Sequence, residues 1–423
     1  MNTEAQSKKD KPVNISRALE FMVEAGLDVL VATSPINVTY FTGYSCWLGP
    51  VFREFMVRPG GSCDLLPTFA VFTAKSETAL VVDGVLGLNA GELDIDEICL
   101  TRTLPMEQGT PTEDLYAGEA LLVQKFAEGA FAESAADGLA QALQARGLSD
   151  ARIGLDSEFL AAKVRAQLTD LLPRASIRNC SNLLRLMRMV KSEEEARRMR
   201  RALEIAEVAA KEAFSSASVG QPLSQITQSY RESVTRLGGQ FEHMAYGPRG
   251  AGITTYSSEA LRSDDCFYAD FGTVFEDYLS DTGFTFSAKP LSGQMLDKYQ
   301  TLRDSIAETA SRMRPGMRAS EVAHYIKQYL AERGITETFP HGHGVGLEPR
   351  DYPILVPDTG LRVQDDCIDV PADLPLEEGM VLNLETPLFM PPEASLHVEQ
   401  TFLLTATGAE PFVQQERKEP ISP

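Results

Sequence analysis

The sequence predicts a mixed fold of two domains, a smaller α/β unit followed by a larger α+β unit, each with its own sheet. Three observations carry this. Short apolar strands and helical stretches intermix through residue 180. A segment rich in Glu, Arg, Met and Ala, Met187–Ser216, then opens a second run of elements with a strong helical pattern. The end of the chain, Val381–Phe412, returns to strand-like alternation. At roughly 150 residues per domain, 423 residues allow two or three domains. The elements divide them into a frayed N-terminus at 1–13, a first domain at 14–181 and a second at 182–423.

Taken in order, Asn14 is a fair N-cap for a helix through Glu24, with Leu19, Met22 and Val23 at helical spacing and Gly26 as its stop. Val29–Ala32 reads as a buried strand that Ser34-Pro35 interrupts. Thr68–Thr73 and Thr78–Val82 read as a hairpin around the polar Lys75–Glu77. The Ala-rich stretch Val123–Arg146 is expected to be one long helix, followed by a strand at Ile153–Leu155 and a helix around Ala161–Leu172. In the second domain, helices are expected at Met187–Ser216, Leu223–Leu237, Gly293–Arg312 and Ala319–Arg333, with strands within Cys266–Ser287. No repeat of 20–50 residues occurs.

Composition excludes several functions. Lys and Arg total 39 against 60 Asp and Glu, a formal net charge of −21. Such a polyanion is a poor partner for nucleic acid, whose affinity comes from neutralised phosphates, and for anionic lipid surfaces. Its apolar runs are too short to span a bilayer. The N-terminal MNTEAQSKKDKPVN has no apolar core of a signal peptide, so a cytoplasmic location is expected. The six cysteines are scattered without a CxxC pair and are expected to be reduced thiols. The five histidines, His243, His324, His341, His343 and His397, all lie in the second half, so histidine chemistry belongs there.

Four segments of the second domain concentrate chemistry. They are Tyr268-Ala-Asp270-Phe-Gly with Ser280-Asp281-Thr, His341-Gly-His343-Gly-Val-Gly, Leu384-Glu385-Thr-Pro, and Leu396-His397-Val-Glu399. Asp270 and Asp281 stand eleven apart around a polar Glu276-Asp277, which suits neighbouring strands with facing carboxylates. Glycines flank His343 and allow close backbone approach to a ligand. Glu385 sits in an apolar run, where an unpaired carboxylate is costly to bury. Read singly, Asp270 fits a turn or salt bridge, His343 a satisfied polar residue and Glu385 a partner for arginine. Together, four carboxylates and an imidazole in strand contexts are what a pair of divalent cations requires.

These segments resemble the pita-bread metallopeptidase family of methionine aminopeptidase, aminopeptidase P, prolidase and creatinase. The linker LRLMRMVKSEEEARR (184–198) is similar to that family's domain junction, and NVTYFTG (37–43) to its N-terminal domain. The resemblance implies a pita-bread catalytic domain behind a smaller creatinase-type α/β domain, and a homodimer. It also implies two divalent cations, Mn, Fe, Co or Zn, bound by Asp270, Asp281, His343, Glu385 and Glu399. Asp281 and Glu399 would bridge both cations, Asp270 would serve one, and His343 with Glu385 the other. A water bridging the two would lose a proton near neutrality and attack a C–N bond.

The chain also departs from that pattern. Two auxiliary histidines of the peptidases fall by count at Arg350 and near Thr254, and a position often occupied by Arg is His397. His243, His341 or His397 could substitute for the auxiliary histidines. Arg350 reads as a clamp for a substrate carboxylate, or as a structural partner of Glu348 or Asp351. Trp47 and Arg53 read as a specificity wall at the site, with Trp47 alternatively a core residue. The expected activity is therefore hydrolysis of a small amide or short peptide bearing a carboxylate. Alternatives are a lyase of the same fold acting on a dimethylsulfoniopropionate-like substrate, against which Tyr268 counts, and a non-catalytic binding module, against which the five intact ligands count.

Overall fold

The computed structural model describes residues 11–46, 66–102, 104–110, 114–158, 160–255, 257–413 and 420–422. Two compact units emerge, Met1–Arg188 with Val363–Val370, and Met189–Arg362 with Pro371–Pro423. Among the described residues no helix is long and apolar enough to cross a membrane. Among the described residues Cys99, Cys180, Cys266 and Cys367 form no disulfide. Most of the N-terminus expected to fray lies outside the described residues. Its last residues are tied down, since Val13 is buried and Lys11 reaches Asp96 at 3.6 Å.

The first unit starts with α1 (Ile15–Ala25), capped by the Asn14 side chain and ended by Gly26 in the left-handed region at φ 63°. Its seven strands are β1 (Val29–Ala32), β2 (Phe69–Thr73), β3 (Thr78–Asp83), β4 (Glu97–Thr101), β5 (Phe131–Ala132), β6 (Arg152–Leu155) and β7 (Ser176–Asn179). They pair in the order β5-β4-β3-β2-β1-β6-β7. β1, β2 and β3 are buried throughout, as strands covered on both faces must be. Ser34-Pro35 does not break the chain but begins α2 (Pro35–Thr42). Ser34 accepts from Asn37 N, and Pro35 occupies a first-turn position where its missing N–H costs nothing. The long Ala-rich helix is in fact two, α3 (Ala117–Glu128) and α4 (Ala135–Ala145). Gly129 in the left-handed region stops the first, and the Ser134 hydroxyl caps the second. α5 (Ala162–Leu171) and α6 (Ser181–Arg188) complete this unit, whose core on one face gathers Val29, Val31, Phe69, Val81, Leu139 and Ile153.

In the second unit the expected first helix begins later than its composition suggests. α7 (Glu193–Ser215) starts at a capping box in which Ser192 and Glu195 satisfy each other's backbone N–H. α7 and α8 (Leu223–Arg236) cover one face of a sheet of β8 (Gln240–Gly247), β9 (Cys266–Phe275), β10 (Tyr278–Leu279) and β11 (Thr282–Ser287). Phe267, Ala269 and Phe271 of β9, Met244 and Tyr246 of β8, and Phe284 and Phe286 of β11 all join the core beneath these helices. Because side chains alternate along a strand, Tyr268, Asp270, His243, Ala245 and Gly283 belong to the opposite face.

The second sheet of this unit comprises β12 (His341–Gly344), β13 (Asp351–Leu355), β16 (Val381–Glu385), β19 (Glu399–Thr405) and β20 (Gly408–Pro411), in the order β13-β12-β16-β19-β20. Two small hairpins, β14 (Arg362–Gln364) with β15 (Asp369–Pro371) and β17 (Leu388–Met390) with β18 (Ala394–Leu396), lie outside it. The helices α9 (Gly293–Arg312) and α10 (Ala319–Glu332) fall where the sequence predicts them. Register aligns His341 with Glu385 and Glu385 with Glu399, while His343 lies opposite Asn383. One face of three adjacent strands thereby presents His341, His343, Asn383, Glu385 and Glu399.

Candidate metal centre

The two sheets of the second unit bring their polar faces together. Asp270 stands in β9 opposite Gly283, and Asp281 stands at the junction of β10 and β11, after the tight Glu276-Asp277 turn with both residues at positive φ. From the other sheet, His343 Nε2 lies 3.4 Å from Asp281 Oδ2 and 3.7 Å from Glu385 Oε1. The Thr401 hydroxyl donates to the Asp281 carbonyl at 3.1 Å, linking the sheets beside the cluster. Gly283 makes the approach possible. A Cβ there would sit 2.4 Å from Glu399 Oε2 and 2.3 Å from His397 Cδ2. All five residues expected as ligands therefore belong to one cluster.

Its electrostatics fit divalent cations. Burial, then the Asp270 charge, push Asp281 well above the usual carboxylate range. Burial, then Asp281 and Asp270, do the same to Glu399. Such crowding is relieved when cations replace protons between the carboxylates. Burial lowers His343 and keeps its ring neutral, while Nδ1–H donates to the Gly344 carbonyl at 2.9 Å. That tautomer leaves the Nε2 lone pair facing Asp281 and Glu385, as a metal ligand requires. The carboxylates of the cluster are held from behind. The Tyr268 hydroxyl donates to Asp270 Oδ2 at 2.6 Å, and the Asn383 amide donates to Glu399 Oε1. His397, wholly buried, places Nε2 2.9 Å from Glu399 Oε2 and packs its ring, tilted by 57°, with its centroid 4.1 Å from that of Tyr268.

The remaining site expectations separate. His341 Nδ1 donates to the Phe339 carbonyl at 2.9 Å, and Nε2 lies 2.5 Å from Glu385 Oε1. Burial opposes its protonation, but the Glu385 bond outweighs this and raises its pKa. Both ring nitrogens are thus engaged in holding the β12–β16 edge. Arg350 is exposed, and its charge reaches both His341 and His343. Asp351, one of its proposed structural partners, lies instead 3.5 Å from Lys191. Among the described residues no hydrogen bond or ion pair joins Thr254 to the cluster; its backbone bridges Tyr246 at 2.9 Å in both directions. Trp47 and Arg53 lie outside the described residues.

One residue was not among the expected ligands. His243 Nε2 lies 2.8 Å from Asp270 Oδ1 and 3.8 Å from Asp281 Oδ1. Its sequence signal is the spacing Phe241, Met244, Tyr246 of the core-facing residues, which puts two consecutive polar residues, Glu242 and His243, between apolar ones. Burial opposes protonation of His243, but its bonds to Asp270 and Glu242 raise it to about 11. Conversely, burial works to raise Asp270, and the His243 hydrogen bond and charge hold it down to about 2.

Residues 197–406 match the model of metallopeptidase family M24, and residues 14–190 that of the creatinase/prolidase N-terminal domain. An uncharacterised peptidase of Staphylococcus aureus (strain MW2) is 24% identical over 274 residues, 62% of this chain and 73% of the relative. The solved structure of a dipeptidase from Pyrococcus horikoshii OT3 aligns with a TM-score of 0.71 at 18% identity, over 96% of this chain and 99% of its own. An Xaa-Pro dipeptidase from Bacillus anthracis aligns at 0.70 and 18%, over 96% and 98%. At these identities the solved structures establish the shared fold.

Proposed function

The chain belongs to metallopeptidase family M24, with a creatinase/prolidase N-terminal domain ahead of its family domain, and from that premise we infer that it is a two-cation hydrolase of a short amide or dipeptide-like substrate bearing a free carboxylate. The family is one of metal-dependent peptidases, and divalent cations are implied. The observation that carries the finer reading is the meeting of Asp270 and Asp281 from one sheet with His343, Glu385 and Glu399 from the other. Asp281 and Glu399 would stand between the cations, Asp270 would hold one, and His343 with Glu385 the other. Bound there, divalent cations supply Lewis acidity for the scissile carbonyl and acidify a water near neutral pH.

The chain's own residues do the positioning. Tyr268 fixes Asp270, Asn383 and His397 fix Glu399, and His341 fixes Glu385, so the donors need little rearrangement when charge develops. Side-chain exposure rises from 1% at Glu399 and 4% at His343 to 22% at Asp270 and 27% at His243. A substrate therefore approaches from the Asp270 side. Arg350, exposed and felt by His341 and His343, is the cation available for the substrate carboxylate, which a guanidinium grips in bidentate fashion.

The test is a panel of Xaa-Pro dipeptides and small carboxylate-bearing amides, assayed with Mn²⁺, Fe²⁺, Co²⁺ and Zn²⁺ after chelation. Turnover should require added cation and vanish in Asp281→Asn. Arg350→Ala should raise KM at least about tenfold with kcat little changed, and Arg350→Lys should recover part of the loss. Turnover without cation in a chelated sample would overturn the hydrolase reading. Unchanged kcat/KM in both Arg350 variants would overturn the carboxylate clamp.

A further inference from the structure

We propose that His243 is a sixth protein ligand of the metal centre, coordinating through Nε2 the cation held by Asp270 and Asp281, with Glu242 orienting its ring. The inference rests on the two-cation reading and adds to it a residue outside the five-ligand pattern.

Three observations carry it. The first is the donor geometry. One donor atom from each of His243, Asp270 and Asp281 lies within 4.8 Å of the others, and Nε2 is 2.8 Å from Asp270 Oδ1. Donors that share one hard cation at bond lengths near 2.1 Å touch one another at about 3 Å. The second is the ring's other nitrogen. Nδ1 is bonded to the Glu242 carboxylate, the partner that fixes a ligating histidine with its Nδ1–H turned away and its Nε2 lone pair toward a metal.

The third is the backbone, which is shaped for this ring. Phe241 pairs with Thr273 but His243 pairs with Gly272, so Glu242 is the extra residue of a β-bulge in β8. A bulge re-aims the side chains beside it, and here two neighbours in sequence reach each other instead of opposite faces of the sheet. The partner across the bulge has no side chain. A Cβ at Gly272 would sit 2.6 Å from the Ser280 carbonyl oxygen and 2.9 Å from both Cε1 and Nδ1 of the His243 ring, so the glycine serves the close strand approach and the ring together. Bulge, glycine and carboxylate together place one imidazole against Asp270 and Asp281.

The consequence is chemical. Without His243, the cation at Asp270 and Asp281 has only oxygen donors from the protein, while its neighbour has His343. With His243, each cation has one imidazole, which favours Fe²⁺, Co²⁺ or Zn²⁺ over Mn²⁺ at both positions.

Apo full-length protein should be titrated with Co²⁺ and followed by calorimetry and by the visible absorption of the bound ion, for wild type, His243→Ala, Glu242→Gln, Gly272→Ala and Asp281→Asn. His243→Ala should weaken one binding step at least about tenfold and shift the Co²⁺ absorption, with free imidazole restoring the spectrum. Glu242→Gln should weaken the same step while circular dichroism stays native, which keeps the test sound if His243→Ala folds poorly; Gly272→Ala should weaken it as well, by crowding both the ring and the Ser280 carbonyl. Unchanged affinity and spectrum in His243→Ala, alongside lost binding in Asp281→Asn, would overturn the sixth ligand and leave the two-cation reading intact. Absence of Co²⁺ binding by wild type, or wild-type binding by Asp281→Asn, would overturn both.

Discussion

At the scale of single residues, the centre depends on side chains that are missing as much as on those present. Gly283 lies opposite Asp270 in an ordinary strand conformation, so an alanine there meets no backbone objection. Its Cβ would nevertheless press on Glu399 Oε2 and His397 Cδ2. Those side chains are 1% and 0% exposed; Asn383 holds the Glu399 carboxylate, the His397 ring is bonded to that same carboxylate, and Thr285 accepts from the His397 backbone N–H, so neither retreats easily. Gly283→Ala should therefore cost about 1–3 kcal/mol of stability by overpacking and weaken cation binding as well. Chemical denaturation of the chelated variant reads the first effect, and Co²⁺ titration reads the second. A variant as stable as wild type that binds Co²⁺ equally well would show that Glu399 does not need its present position.

At the scale of elements, the first turn of α7 carries a pH dependence separate from the metal centre. Glu195 closes the capping box by accepting from Ser192 N at 2.8 Å and also accepts from the Tyr278 hydroxyl at 3.1 Å. Burial outweighs these bonds and the nearby Lys191 charge, and raises Glu195 from 4.5 to about 7. Between those values the folded chain keeps a proton that the unfolded chain has released. Stability from this group is therefore full below pH about 4.5 and falls as pH rises toward 7, by on the order of 3 kcal/mol. Glu195→Gln keeps one acceptor for Ser192 N and turns an amide toward Tyr278, but it cannot titrate. Its stability relative to wild type should climb between pH 5 and pH 8 in urea unfolding, and parallel curves would sink this reading. Glu195 also shows what the sequence makes legible. The helix start at Asn14 before α1 can be read from a few residues, whereas Ser192 carries its code before α7 inside a stretch whose composition reads as helix from Met187. Ser34-Pro35 carries the same code, yet the Pro reads as a breaker until the helix behind it is known. Gly129 and Ser134 divide the Ala-rich stretch against a helical propensity that runs through both. Asp270, Asp281, His343, Glu385 and Glu399 stand out in the sequence as carboxylates and an imidazole in strand contexts that resemble a family motif, and the structure brings them into one cluster. His243 does not stand out, because its role depends on a bulge and on Gly272 across the sheet, a pairing that no local pattern states.

At the scale of the whole molecule, the acidic excess behind the net charge of −21 includes a surface that water solvates and four clustered carboxylates that the proposed cations would neutralise. The two units have separate cores, one around Val31, Val81 and Leu139, the other around Phe214, Phe267 and Phe286. Every expected ligand belongs to the second unit. A ligand that binds only the folded state stabilises what it binds, by about 2.7 kcal/mol at roughly a hundredfold excess over Kd. Cation binding should therefore protect one unit and leave the other as it was. In hydrogen exchange followed by mass spectrometry, adding Co²⁺ to chelated protein should slow exchange in β8, β9, β11, β12, β16 and β19. β1, β2, β3 and β6 should exchange at unchanged rates. The Asp281→Asn variant should show no slowing on adding Co²⁺, because the crowded carboxylates would no longer be drawn together by shared cations. Equal protection of both units would mean that the cations act away from the cluster, and the assignment of Asp270, Asp281, His343, Glu385 and Glu399 as their ligands would then be wrong.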